Sequence, residues 1–170
     1  MRAVPAEPHD WLTSLVARYE GPLILYAQRL LGELPRARDV VQETFLKLCR
    51  TPAGEVEGHE AAWLYTVCRR AALDVKRKER RMTLVTDETV AGFASASPEP
   101  LAALEQSESA GEVMRMLERL PENQKEAITL KFGHGMSYKQ IAEITGHSIS
   151  NVGVLIHTGL KTVRERLVTI

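Results

Sequence analysis

The sequence predicts an all-α protein: two small helical domains joined by a flexible linker. Three observations lead there. Apolar residues recur at three- and four-residue spacing along most of the chain, with no alternating strand or hairpin pattern. The stretch 82–110 loses that periodicity and is rich in Ser, Ala, Thr, Glu and Pro. Charge is segregated: "RRAALDVKRKERR" (69–81) holds seven basic and two acidic residues, whereas 82–112 holds six acids and no base. The domains expected are 8–81 and 111–170, with 82–110 as an acidic linker.

Taking the elements in order, Asp10 is expected to cap a first helix that turns Trp11, Leu12, Leu15, Val16 and Tyr19 to one side. "GP" at 21–22 should end it, with Pro22 in the first turn of a second helix reaching about Leu31. "GELP" breaks that helix. A third, about 36–50, sets Val40, Val41, Phe45 and Leu48 against a polar stripe of Asp39, Gln42, Glu43 and Lys47. The loop "TPAGEVEGHE" leads to a fourth helix, about 60–80. At about 100° per residue, its Leu64, Val67, Cys68, Ala71 and Val75 oppose Arg69, Arg70, Lys76, Arg77, Arg80 and Arg81. Only Asp74 and Glu79 interrupt the cations. A solvated face is the plainer reading, but such faces usually mix both signs. A polyanion would relieve the repulsion.

The linker has a root-mean-square span of ~30 Å as a flexible chain, reaches ~95 Å when extended, and has a weak helical tendency over 99–108. Beyond it, Val113, Met114, Leu117 and Leu120 form a stripe, and Pro121 opens a helix that Gly133 and Gly135 end. Ser137 with Gln140 reads as a capping box. Gly146 then makes a turn and Ser148 caps a last helix, with Val152, Leu155, Ile156, Val163 and Leu167 inward. Ala142, Gly146 and Val152 fit the spacing of a helix-turn-helix. Ser150, Asn151, Gly153, Val154, His157, Thr158 and Lys161 then face out. Small residues let a backbone approach a groove, and Asn, His and Thr can meet base edges or phosphates.

Composition excludes other classes. The chain has 170 residues, 44% hydrophobic and 26% charged, with a net charge of zero. No apolar run approaches the ~18 residues of a membrane span, and "MRAVPAEPHDW" has no signal-peptide core, so no membrane insertion and a cytoplasmic location are expected. Cys49 and Cys68 read as reduced, structural thiols. The five histidines lack metal-ligand spacing, and neither a metal nor a cofactor is expected. No acid–base pair, nucleophile motif or phosphate loop appears, so no catalytic residue is assigned and an enzyme is not expected.

"DVVQETFLKLCR", "AAWLYTVCRRAALDVKRKERR" and "LERLPENQKEAITLKFGHGMSYKQIAEITGHSISNVGVLIHTGLKTVRERL" together resemble regions 2 and 4 of bacterial sigma factors, and the short spacing resembles the extracytoplasmic-function (ECF) subfamily. That resemblance implies a non-catalytic subunit that directs core RNA polymerase to promoters. It places Asp39, Gln42 and Glu43 on the polymerase. It places Trp63, Tyr65, Arg69, Arg70, Lys76, Arg77 and Arg80 at the −10 promoter element, where the loop 51–60 helps form a pocket for a flipped base. It places Lys139, Ser150, Asn151, Gly153, Val154, His157, Thr158 and Lys161 on the −35 element. Core RNA polymerase and promoter DNA are the implied partners, and the family is often held by an anti-sigma factor. The sequence departs from the family in three places. The loop 51–60 carries three acids, Arg70 stands where many relatives have Asn, and the last helix lacks the usual cations near 153, 155 and 158. A stand-alone dimeric helix-turn-helix regulator, or a sigma-like adaptor without promoter recognition, stay open as alternatives.

Overall fold

The computed structural model describes residues 8–86 and 108–169, which fall into two helical units. In the N-terminal unit, α1 (Pro8–Leu31), α2 (Leu34–Arg50) and α3 (Glu60–Thr86) pack pairwise, and a 3₁₀ turn (Ala53–Glu55) lies in the α2–α3 loop. Each helix contributes one stripe to the core: Leu23, Tyr26 and Ala27; Ala37, Val40, Val41 and Leu48; Leu64, Tyr65, Cys68 and Ala72. The Tyr26 and Tyr65 rings meet at a centroid distance of 5.2 Å and a tilt of 47°, an arrangement the aromatic quadrupole favours. Val56 from the loop is fully buried.

The proline at 22 does not divide the first helix. The structure continues α1 straight through it, which corrects the two-helix expectation. Proline removes one intrahelical hydrogen bond, here the one to the Arg18 carbonyl. Gly21 and Pro22 lie on the exposed side, where water can serve that carbonyl. The apolar stripe from Leu15 to Ala27 crosses the proline without a change of face, so both halves bury against the same partners. Nor does Asp10 cap the helix, which starts at Pro8. It sits in the first turn, where a carboxylate complements the helix dipole. The α1–α2 corner is made by Gly32, at φ +79°, whose N–H returns to the Gln28 carbonyl at 2.7 Å.

Helix α3 also overruns its expected end, reaching Thr86 with Met82, Leu84 and Val85 exposed. Residues 82–86 are therefore helical rather than linker. So are 108–110, which open α4. Residues 87–107, with most of the weak helical tendency assigned to 99–108, lie outside the described residues.

In the C-terminal unit, α4 (Glu108–Glu118) and α5 (Glu122–Ile128) precede one wide π turn (Thr129–Gly133). Then come α6 (Tyr138–Thr145) and α7 (Ile149–Val168). Helix α7 packs on α4, α5 and α6 through Val152, Leu155, Ile156, Gly159 and Val163. Lys125 joins α4 to α5, 3.2 Å from Glu118 and 2.9 Å from Glu122. Burial alone would lower its ammonium pKa, but the Glu122 and Glu118 carboxylates outweigh that and leave it raised. Leu167, expected inward, is 36% exposed, because it lies in the last turn of α7, past the contacts that end at Val163.

Gly159 marks a close approach of α7 to its neighbours. A Cβ there would lie 2.7 Å from Ile128 Cδ1 and 3.4 Å from both Gln124 Cβ and Leu120 Cδ1. No helix among the described residues is long and apolar enough to cross a membrane. Nor do those residues form a His, Cys, Asp and Glu cluster that could hold a metal ion.

Gly159→Val should lower stability by about 1–3 kcal/mol through overpacking, read as an earlier thermal transition of the intact chain. Cys68 is buried, which pushes its thiol up to about 12, against a small lowering by a Thr44 hydrogen bond, while Cys49 is exposed. Since only a thiolate attacks a disulfide reagent, native protein at neutral pH should titrate one thiol and denatured protein two.

Candidate nucleic-acid interface

Local chemistry sets the geometry of α6 and α7. The Ser137 hydroxyl accepts from the Gln140 N–H at 3.1 Å, and the Ser137 N–H donates to Gln140 Oε1 at 2.9 Å. This reciprocal pair fixes the start of α6. Gly146, at φ +78°, ends it, donating its N–H to the Ala142 carbonyl at 2.9 Å. Only His147 separates that left-handed residue from Ser148, whose hydroxyl caps α7 by accepting from the Asn151 N–H at 3.1 Å. Val152, fully buried, locks the second helix to the first. Together these make a helix-turn-helix with a tight turn.

On α7, Ser150, Asn151, Val154, His157, Thr158 and Lys161 are all exposed, as is Lys139 on α6. Asn151 Nδ2 lies 3.3 Å from His147 Nδ1, so the amide is steadied by the turn. Lys161 lies 3.8 Å from Glu165, a loose pair. Gly153 differs from its expected place among the outward residues. It is half-buried on the α6 side, and a Cβ there would sit 3.7 Å from the Tyr138 ring. From Ile149 to Leu160 the helix carries no Asp, Glu, Lys or Arg.

Helix α3 contrasts with it. Arg70, Arg77 and Arg80 are exposed, and Arg69 and Lys76 are half-buried. Lys78 and Arg81, to which the sequence pattern assigned no promoter role, are also exposed. The run of cations was itself the signal for them. The two interrupting acids are engaged locally: Asp74 pairs with Arg77 at 2.6 Å, and Glu79 pairs with Arg36 of α2, which also meets Glu33 at 3.2 Å. Arg70, Lys76, Lys78, Arg80 and Arg81 form no ion pair among the described residues, so their positive potential is uncompensated nearby.

Tyr65 was expected to meet DNA and cannot. It is 1% exposed and packed at a tilt against Tyr26, and burial raises its hydroxyl pKa well above the usual range. Trp63 is half-buried, leaving part of its ring available. The loop before α3 is pinned by buried Val56 and by Gly58, at φ +89°, whose N–H donates to Glu60 Oε1 at 3.0 Å. That bond is the main reason the Glu60 carboxyl lies below its usual range. On α2, Asp39, Gln42 and Glu43 are all exposed. Gln42 also lines a shallow cleft of about 310 Å3 between α1 and α2, with Glu20, Ile24, Arg38 and Val41.

A three-helix unit with a cationic helix is joined in one chain to a helix-turn-helix unit, a two-part all-α architecture. Family models for "Sigma-70 region 2" and "Sigma-70, region 4" match residues 15–82 and 110–163. The ECF RNA polymerase sigma factor SigL of Mycobacterium tuberculosis is 30% identical over 92% of this chain and 88% of its own length. EcfG of Rhodopseudomonas palustris is 32% identical over 75% of this chain and 68% of its own. The probable ECF sigma factor SigI of M. tuberculosis is 29% identical over 92% of this chain, which spans only 56% of SigI's length. Among solved structures, the sigma factor RpoE of Bartonella quintana, determined in complex with the anti-sigma factor NepR, aligns with a TM-score of 0.67 at 23% identity, covering 91% of this chain and 95% of that one. The chain belongs to the ECF group of the sigma-70 family.

Ser148→Ala removes the α7 cap and should lower stability by about 1 kcal/mol. Calorimetry should place the loss in the C-terminal unit, with the same variant leaving hydrogen-exchange protection in α1–α3 unchanged.

Proposed function

We propose that the chain directs bacterial core RNA polymerase to promoters and acts in the cytoplasm as a non-catalytic subunit. The observation that carries this reading is the pairing, within one sigma-family chain, of a helix bearing five cations that form no ion pair among the described residues with a well-capped helix-turn-helix. In this reading α1–α3 form the polymerase and −10 module, α4–α7 the −35 module, and the stretch between α3 and α4 the linker.

Asp39, Gln42 and Glu43 then face the polymerase, and their exposure on α2 supports that role. Arg69, Arg70, Lys76, Arg77 and Arg80 hold phosphates of the −10 element, joined by Lys78 and Arg81. Arg70, Lys78, Arg80 and Arg81 are best placed, being both exposed and without an ion pair among the described residues. Arg77 must first give up Asp74. Trp63 offers an aromatic edge to an unstacked base. Lys139, Ser150, Asn151, Val154, His157, Thr158 and Lys161 meet the −35 element. An anti-sigma factor is the third partner in this reading, by analogy with the B. quintana complex.

Transcription from fragmented genomic DNA by purified bacterial core polymerase tests the reading. With the chain present, RNA should start at a small set of defined sites that are silent without it. Unchanged start sites would refute the proposal. At those sites, Arg70→Glu with Arg80→Glu should weaken promoter binding and flatten its dependence on salt. The log–log slope should fall by roughly 0.7–0.9 for each phosphate that the variant no longer neutralises.

A further inference from the structure

The first three turns of α7 pose a chemical puzzle that the proposed function does not resolve. Sequence-specific major-groove contacts are most often made by Arg or Lys on guanine, yet Ile149–Leu160 holds no charged residue. What it holds instead is an exposed apolar side chain in the middle of the outward face. At about 100° per residue, Ser150, Val154, His157 and Lys161 lie within one narrow strip, opposite the buried Val152, Leu155, Ile156 and Gly159. Val154 is the large apolar member of that strip and is 59% exposed. On the α6 flank stands Tyr138, 40% exposed, whose ring would lie 3.7 Å from a Cβ at Gly153.

A valine in this place has one matching group in duplex DNA. Every polar atom of the major-groove floor wants a hydrogen bond, and burying it against an isopropyl group would leave it unmet. The thymine C5-methyl is the apolar exception. Val is also short and stiff at χ1, so its methyls are fixed by the backbone of α7. That backbone is itself fixed by the Ser148 cap and the close crossing at Gly159. One turn earlier on the strip stands Ser150, and on its flank Asn151, whose amide is steadied by His147. Asn is suited to the N6 and N7 edge of adenine, the base paired with thymine.

We infer that Val154 is a specificity-determining residue of the −35 module, reading a thymine C5-methyl in an A·T pair. The recognition helix thereby selects A·T over G·C at its centre without a cation. The inference rests on the promoter-directing function proposed above and adds the base class that the C-terminal unit selects.

Single thymine-to-deoxyuridine replacements test it, because they delete the methyl and keep every hydrogen-bonding atom. They are made one at a time across the upstream element of a promoter found by start-site mapping, and binding is measured with the full chain on core polymerase. At one or two positions the wild-type complex should lose about fourfold in affinity, the factor that corresponds to one methyl group's burial. The complex with Val154→Ala should bind the thymine and deoxyuridine forms equally well at those positions. It should also bind core polymerase as wild type does, since the replaced side chain is mostly in solvent. Insensitivity of the wild type at every upstream position overturns the inference. So does equal sensitivity in Val154→Ala, which would make the methyl effect one of DNA shape. Weakened core binding by Val154→Ala, without DNA, would show that the valine faces the polymerase instead. If the chain fails to join the polymerase or to set start sites, the proposed function falls and this inference with it. Normal start sites with no methyl effect overturn the inference alone.

Discussion

The close crossing of α7 over α5 at Gly159 is the constraint on which the C-terminal unit depends. A long surface helix can leave one face bare only if the other is held hard enough to fix its direction. Here the hold comes from Val152, Leu155, Ile156 and Val163, spaced to bury one stripe, with a glycine where the backbone itself must approach Ile128. Glycine inside a helix costs about 1 kcal/mol relative to alanine, so its place in the middle of α7 needs a compensating gain. That gain is close packing: a Cβ there would lie 2.7 Å from Ile128 Cδ1, so the Ile128 side chain would have to move, and 3.4 Å from Gln124 Cβ and Leu120 Cδ1. The turn before it is fixed equally locally, by Gly146 in a left-handed conformation and two serine caps.

The N-terminal unit solves a different problem, that of keeping many like charges on one helix. Helix α3 divides its circumference between a core stripe of Leu64, Tyr65, Cys68 and Ala72 and a cationic side. Its two acids do not neutralise that side. Glu79 is engaged with Arg36 of α2, a tie between helices, and Asp74 with Arg77, three residues along. Both pairs are substantially exposed, so their contribution to stability is small. Their effect is on arrangement: they leave Arg70, Lys78, Arg80 and Arg81 unmatched among the described residues, while the helix stays anchored through its aromatic contact with α1.

How much of this could be read from the sequence followed the range of the interactions involved. The capping box at Ser137 and Gln140, the turn at Gly146 and the cap at Ser148 are contacts within four residues, and their spacing alone locates them. Pro22 misled, because a proline stops a helix in isolation. What overrode it was tertiary: an apolar stripe shared by both halves and a solvent-facing position for the missing hydrogen bond. Tyr65 misled for a related reason. The resemblance to sigma factors suggested an aromatic at the DNA, but the partner that claims this ring is Tyr26, far away in sequence. Gly159 carried no signal of its own, since a glycine in a helical stretch reads as a weakness until the helix it crosses is known. The overrun of α3 to Thr86 was hidden by composition, because Thr and exposed Val are ordinary linker residues.

The two exposed surfaces differ in the physics available to them, and that difference bears on how one chain of zero net charge could hold a polyanion. Phosphate contacts draw on counterion release and weaken steeply with salt, and the unpaired cations of α3 can supply them. The bare opening turns of α7 cannot. What they can offer is shape, apolar contact and the N-terminal dipole of a well-capped helix, and the apolar part of that is nearly indifferent to salt. In the promoter-directing role proposed for the chain, affinity would therefore come mainly from one unit and discrimination from the other, each weak when acting alone. Covalent connection makes the second contact intramolecular once the first has formed, so firm binding requires both elements on the same DNA. The neutral total charge is then an advantage, because it limits capture by arbitrary DNA while leaving the local field of α3 intact.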